Sequence, residues 1–282
     1  MSTPRDDLLA WYAPRRGAYP WRGTRDPYRI LVSEVMLQQT QAPRVAPAYR
    51  SFLRRFPSLR ALAGASRREV LIAWDGLGYH RRAVALSEAA RTIVREHGGR
   101  VPSDPVALRR LPGIGPYTAA AVASIAFDLP AAAVDTNSRR IVARVFEGCE
   151  ADACSPARIR ELAEDWLDRR DPGSWNQALM DLGREVCRPR PRCEICPLTA
   201  VCRFRQLGRE PVTSRRRRSP FEGSMRQVRG AIVGVLRSHP SLPRRELARL
   251  TGHDPERVEE AALALVAEGI VESRRGRLRL AS

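Results

Sequence analysis

The chain contains no lysine; all 49 of its basic residues are arginine. No lysine amine is available to form a Schiff base, which excludes chemistry that proceeds through such an imine. No apolar run approaches membrane-spanning length, and residues 1–7 hold no hydrophobic segment of the signal-peptide kind. A cytoplasmic protein without a membrane partner is expected. Convincing period-two alternation is missing before residue 265, so no large sheet is predicted.

What remains is a helical, strongly basic chain. Its 282 residues, 43% of them hydrophobic, suffice for a full core and suggest two domains. The net charge of +18 points to a polyanion, most simply nucleic acid. Residues 213–282 hold 15 arginines against 8 acids, so the tail shares in this excess.

Helical patterns cover Pro27–Arg44 and Arg81–His97, the second closed by Gly98-Gly99. Val106–Leu111, Pro112-Gly113-Ile114-Gly115 and Tyr117–Phe127 predict helix, tight hairpin, helix. The two glycines let the backbone turn sharply and bring its N–H groups close to an oxygen anion. Asp135 stands at an N-cap position, where free N–H groups and the helix dipole favour its ionised form. Arg215–Arg218 with Ser219-Pro220 predicts a linker or a flexible arm on DNA. Beyond it, Arg226–Arg237, Arg244–Leu250 and Pro255–Glu268 predict three helices, and Ile270–Leu280 a hairpin about Gly276. That tail resembles a winged helix.

Four cysteines fall within sixteen residues as Cys187-x5-Cys193-x2-Cys196-x5-Cys202. Thiolates gathered at one point repel one another, and a positive centre relieves the repulsion. A four-cysteine zinc site is one reading, but zinc knuckles usually present two Cys-x2-Cys pairs across a longer loop. One such pair with an outlying cysteine on each side fits a [4Fe–4S] cluster better. Cys149 and Cys154 lie outside the pattern and are read as ordinary small side chains in a loop.

Hairpin, Asp135 and cysteine cluster occur in an order that resembles the helix–hairpin–helix DNA glycosylases of the endonuclease III superfamily. Ser33-Glu34-Val35-Met36-Leu37-Gln38-Gln39-Thr40-Gln41 and Trp74-Asp75-Gly76-Leu77-Gly78-Tyr79 are similar to the adenine DNA glycosylase (MutY) family within it. Pro20-Trp21-Arg22 and Asn176–Gly183 fit as well. The resemblance covers roughly residues 7–205 and implies a mainly α, two-domain fold with DNA bound in the cleft. A six-helix domain would span 25–130. A cluster domain would join 1–24 to 131–212. A basic linker, 213–221, and a winged-helix-like domain, 222–282, would follow.

The resemblance also implies an active site. Glu34 would protonate the departing adenine and Asp135 would face the developing positive charge on the sugar, with Tyr117 and Asn137 as hydrogen-bonding neighbours. Without the family pattern, Glu34 would read as a solvated helix carboxylate, Asp135 as a cap and Tyr117 as a packing aromatic. Trp21, Arg22, Leu37 and Gln177 would line the base pocket. Gln39, Thr40 and Tyr79 would enter the stack beside the opposing base, and the hairpin residues Leu111, Gly113 and Gly115 would meet the DNA. The cysteines would hold the [4Fe–4S] cluster, with Arg188, Arg190 and Arg192 against phosphates. The implied partner is duplex DNA carrying adenine opposite 8-oxoguanine or guanine, bound by a monomer that flips the adenine out.

Three departures from the family pattern stand out. The first cysteine gap is one residue shorter than usual, His80 replaces a common tyrosine, and the tail is too short for a Nudix-like domain. A related glycosylase acting on thymine or uracil opposite guanine, and a non-catalytic DNA-binding regulator, are the competing readings. Tyr117 occupies the position where bifunctional relatives place a nucleophilic lysine. The product is therefore expected to be an intact abasic strand, cut only after alkali or heat. Borohydride trapping checks this, and a covalent protein–DNA adduct in high yield would contradict it.

Overall fold

In the computed structural model, residues 3–17, 19–211 and 220–282 are described; the Arg215–Arg218 run and most of the expected linker lie outside them. The helices are α1 (Pro4–Tyr12), α2 (Pro27–Leu37), α3 (Ala42–Arg55), α4 (Leu59–Gly64), α5 (Arg67–Ala73), α6 (Arg81–Glu96), α7 (Pro105–Arg109) and α8 (Pro116–Phe127). They continue with α9 (Thr136–Val142), α10 (Pro156–Trp166), α11 (Pro172–Glu185), α12 (Arg203–Gln206), α13 (Met225–Ser238), α14 (Arg244–Thr251) and α15 (Pro255–Ala267). Strands are confined to the tail: β1 (Leu242–Pro243), β2 (Val271–Arg274) and β3 (Arg277–Leu280). Among the described residues no helix is long and apolar enough to cross a membrane.

Local chemistry starts these helices. A side-chain oxygen of Thr3, Asp104, Ser155, Asp171 or Asp254 accepts from the first-turn backbone, and proline follows each cap. The cap satisfies an otherwise orphaned N–H, and proline costs nothing at a position that has no N–H partner. The helix expected over Pro27–Arg44 is two helices. α2 ends at Leu37 because Gln39 takes a left-handed backbone, φ 57°, and Pro43 suits only the first turn of α3. The hairpin matches its expectation more closely. Leu111 O accepts from Ile114 N at 3.2 Å across Gly113, whose φ of 75° favours glycine.

The chain divides into two compact units. The first comprises Met1–Val35 and Val101–Arg215. It thus takes in α7 and α8, which the sequence groups with residues 25–130. Its centre is α11, which packs against α1, α8 and α9. Leu8, Tyr12, Ile141, Trp166, Trp175 and Leu182 are buried there. Trp166 meets Trp175 edge to face, ring centres 5.3 Å apart, the arrangement that aromatic quadrupoles favour.

The second unit comprises Met36–Arg100 and Arg216–Ser282. Phe52 and Trp74 form its edge-to-face centre, and α4 packs on α6. The tail adds α13 to α15 and an antiparallel sheet in the order β1-β3-β2. Strand β1 escapes sequence reading because two residues show no alternation; only the pairing of Leu242 with Leu278 and of Pro243 with Arg277 defines it. Within this unit Arg67 donates to Gly269 O at 3.1 Å, and Arg237 pairs with Asp75.

Candidate active site and cysteine loop

Glu34 lies on α2 among Ile30, Leu31, Val35 and Met36, all buried, and is itself only 3% exposed. Desolvation raises its pKa from 4.5 to about 7, against the pull of Arg22 and the Tyr117 hydroxyl and with the push of Asp135. Its Oε2 has no hydrogen-bond partner among the described residues. The Tyr117 hydroxyl donates to Met180 Sδ at 3.3 Å and also lies within hydrogen-bonding reach of Glu34. A thioether is a weak acceptor, so the carboxylate is the stronger partner whenever Glu34 ionises.

Asp135 is the N-cap of α9. Its Oδ1 accepts from Ser138 N at 2.7 Å and Ser138 Oγ at 2.9 Å, and its Oδ2 from Asn137 Nδ2 at 3.1 Å. The side chain thus caps α9 while both of its oxygens are held in place by donors. Arg140 then links Asn137 to the cysteine loop. It donates to Asn137 Oδ1 at 2.9 Å, Gly183 O at 3.0 Å and Cys187 O at 2.8 Å.

The expected base-pocket residues of the first unit are buried. Trp21 stacks on Tyr19 with the rings 7° from parallel, and Arg22 pairs with Asp181 at 2.7 Å. Burial pushes Asp181 up while Arg22 and Arg184 pull it down. Gln177 Oε1 accepts from the Tyr12 hydroxyl at 2.6 Å. Leu37, half-buried at the end of α2, falls in the second unit with Gln39, Thr40 and Tyr79. Gln39 and Tyr79 are exposed at left-handed backbone positions, φ 57° and 46°. Buried Leu111 anchors the hairpin while Gly113 and Gly115 remain exposed. His80, beside Tyr79, is buried; burial and nearby arginines lower its pKa to about 4, so it stays neutral.

Cys187, Cys193, Cys196 and Cys202 are unpaired thiols that line one cavity with Arg144, Leu198 and Phe204. Burial and mutual repulsion push Cys196 to about 11, with the other three sulfurs contributing. Arg144 faces Cys187 Sγ at 3.7 Å and holds the loop through Arg188 O at 2.8 Å. Among the described residues no three Cys, His, Asp or Glu side chains are placed to hold a single metal ion. Cys149 and Cys154 correct an expectation: they form a disulfide instead of lying unpaired, the short loop between them turning back through a Cys154 N to Ala151 O bond.

Residues 32–169 match the model of the HhH-GPD superfamily of base excision DNA repair proteins. An adenine DNA glycosylase of Mycolicibacterium smegmatis is 42% identical over 277 residues, spanning 96% of this chain and 94% of that one. The chain belongs to the adenine DNA glycosylase family. A Mus musculus member is 37% identical over 94% of this chain and 54% of its own length. Among solved structures, a thermostable thymine-DNA glycosylase is 33% identical with a TM-score of 0.66, over 72% of this chain and 95% of that one. A trapped endonuclease III–DNA covalent intermediate shares the fold at 23% identity and a TM-score of 0.61, over 72% and 95%.

Sequence reasoning gave no individual role to Asp181 or Asn176, quoted only within a matching segment, nor to Tyr12 or Arg140. The first carried a readable signal, because it lies four residues after Gln177 on one helix face. Asn176 fixes the approach to Asp135: its Oδ1 accepts from Ala133 N at 2.8 Å and its Nδ2 donates to Ala131 O at 2.9 Å. No local pattern announces such long-range straps.

Glu34 also makes stability depend on pH. Its pKa in the folded protein, about 7, exceeds the ordinary glutamate value of 4.5, so the contribution is full below about pH 4.5 and is lost as pH rises through 7. Two and a half pKa units correspond to about 3 kcal/mol. Denaturant unfolding from pH 4.5 to 8 should show this decline in the native protein and not in Glu34→Gln, whose amide does not titrate.

Proposed function

We propose that this chain is a monofunctional DNA glycosylase of base-excision repair that flips out adenine mispaired with 8-oxoguanine or guanine and excises it. The observation that carries the reading is the burial of Glu34, which holds a proton near neutral pH in the same unit as Asp135 and Tyr117. Cleaving a purine N-glycosidic bond needs a protonated leaving base and stabilisation of an oxocarbenium-like sugar. Glu34 delivers its proton to adenine N7, and the base leaves neutral. Asp135, its oxygens fixed by Asn137 and Ser138, faces the positive charge growing on the sugar. Water then attacks the sugar. Tyr117 has no amine with which to intercept it, which leaves the strand uncut.

Trp21, Arg22, Leu37 and Gln177 line the base pocket in this reading, while Gln39, Thr40 and Tyr79 enter the stack opposite. The amides of the Gly113–Gly115 hairpin meet phosphate, and the winged-helix-like tail adds arginines along the duplex. A monomer without a membrane partner, working on the nucleoid in the cytoplasm, suffices. The four cysteines fit a [4Fe–4S] group, since their sulfurs share one cavity and repel one another without a cation. When bound, that group supplies positive charge that keeps the thiolates together and pins the loop bearing Arg188, Arg190 and Arg192. A second reading, removal of thymine or uracil opposite guanine, draws on the likeness to the thymine-DNA glycosylase. It gives Glu34 no purine N7 to protonate.

Base release from duplexes carrying A, T or U opposite G or 8-oxoguanine separates the two. Adenine alone should be released, Glu34→Gln should abolish turnover while binding persists, and Asp135→Asn should lose about 10²–10³ in rate. Release of thymine but not adenine would establish the second reading. Purified protein should be brown, with about four irons and four sulfides per chain. Stoichiometric zinc without iron, after preparation free of oxygen, would replace the cluster by a four-cysteine zinc site.

A further inference from the structure

Two turns far apart in sequence meet on one side chain. Residues 38–40 follow α2, and residues 75–79 precede α6. Each carries a non-glycine residue in the left-handed region, Gln39 and Tyr79, where an L side chain is held against its own preference. Something must over-determine both conformations.

Arg82, in the first turn of α6, touches both. Its Nη1 donates to Met36 O at 2.8 Å and to Gln38 O. Its Nη2 donates to Thr40 Oγ1 at 2.9 Å, Leu77 O at 3.1 Å and Gly78 O at 3.3 Å. The guanidinium also lies 5.4 Å from the Trp74 ring centre and 5.3 Å from that of Tyr79. Trp74 is fully buried and donates to Gly78 O at 3.0 Å, so the platform beneath the guanidinium is rigid. Met36 O lies in the last turn of α2, where helix carbonyls lack intrahelical partners, and Gln38 O lies just past it. One planar fork therefore caps a helix, closes two turns and stacks under the aromatic ring that the second turn exposes.

We propose that Arg82 is the positioning residue that couples the Gln39 and Tyr79 turns into one surface against the base opposite the excised adenine. The coupling is geometric: neither turn can change its carbonyl directions without breaking bonds to a guanidinium that the other turn also holds. An ammonium could not substitute. It presents three donors from one atom, whereas this site uses two nitrogens of a fixed plane pointing at separate turns. The role in reading the opposing base rests on the function proposed above; the coupling itself does not.

The test uses the full chain with Arg82→Met and Arg82→Lys, each checked for melting and iron content. Amide hydrogen exchange of the free proteins should show residues 38–40 and 77–80 losing protection together in Arg82→Met, with Glu34 and its neighbours on α2 unchanged. Single-turnover excision of adenine at saturating enzyme is then compared opposite 8-oxoguanine and opposite guanine. The ratio of the two rates should fall by about tenfold in Arg82→Met, and Arg82→Lys should recover little of it. In a Tyr79→Ala background the same substitution should change the ratio little further. Retained protection in both turns, or loss confined to one, would overturn the coupling. An undiminished ratio, or an equal fall in the Tyr79→Ala background, would overturn its role in reading the base. Normal ratios in both Tyr79→Ala and Gln39→Ala would instead overturn the opposing-base reading of these turns, and joint loss of protection would still establish the coupling. If Arg82→Met does not fold, the exchange of Arg82→Lys decides the coupling on the same criterion.

Discussion

The site depends on keeping a carboxylic acid out of water. A glutamate on a surface helix would be ionised at neutral pH and useless as a proton donor. Here α2 surrounds Glu34 with aliphatic side chains and exposes almost none of it. Burial alone would push the acid higher still. The nearby Arg22, itself tied to Asp181, and the Tyr117 hydroxyl draw it back to about 7. Asp135 receives the opposite treatment, with donors on both oxygens. Two carboxyls in one unit thus sit in contrasting surroundings, one dry and one hydrogen-bonded on both oxygens.

That arrangement explains why the arginines are unevenly distributed in role. Most face solvent, where a net charge of +18 suits a phosphate backbone. A few are buried and act through their planar forks. Arg22 faces the acid site, Arg140 runs from Asn137 to the cysteine loop, and Arg144 holds that loop at Arg188 O and Pro189 O. A lysine in any of these places would lose the simultaneous contacts.

Much of this was legible in the sequence. Helical periodicity, the cap at Asp135 and the paired glycines near residue 114 predict α6, α8, α9 and the tail helices to within a few residues. The motif around Glu34 singled out a carboxyl that periodicity would have left on a helix surface, and the fold buries it. What escaped has a common physical cause. The break after Leu37 depends on a left-handed Gln39, which no propensity signals; the strand at Leu242 exists only by pairing; and the disulfide at Cys149 and Cys154 follows from loop closure. The straps of Asn176 and Arg140 span more than forty residues and have no local signature.

Gly183 sits where α11 crosses α9. A Cβ at this position would fall 2.7 Å from Asn137 Cβ and 3.2 Å from Ile141 Cδ1. The helix that carries Gln177 and Asp181 is therefore at contact distance from the one that begins beneath Asp135. There is no slack between the two helices in which a methyl group could be absorbed. An alanine here would have to push α9 and α11 apart, although it replaces nothing larger than a hydrogen atom. The residue with the least chemistry in the chain sets the tolerance to which the rest is machined.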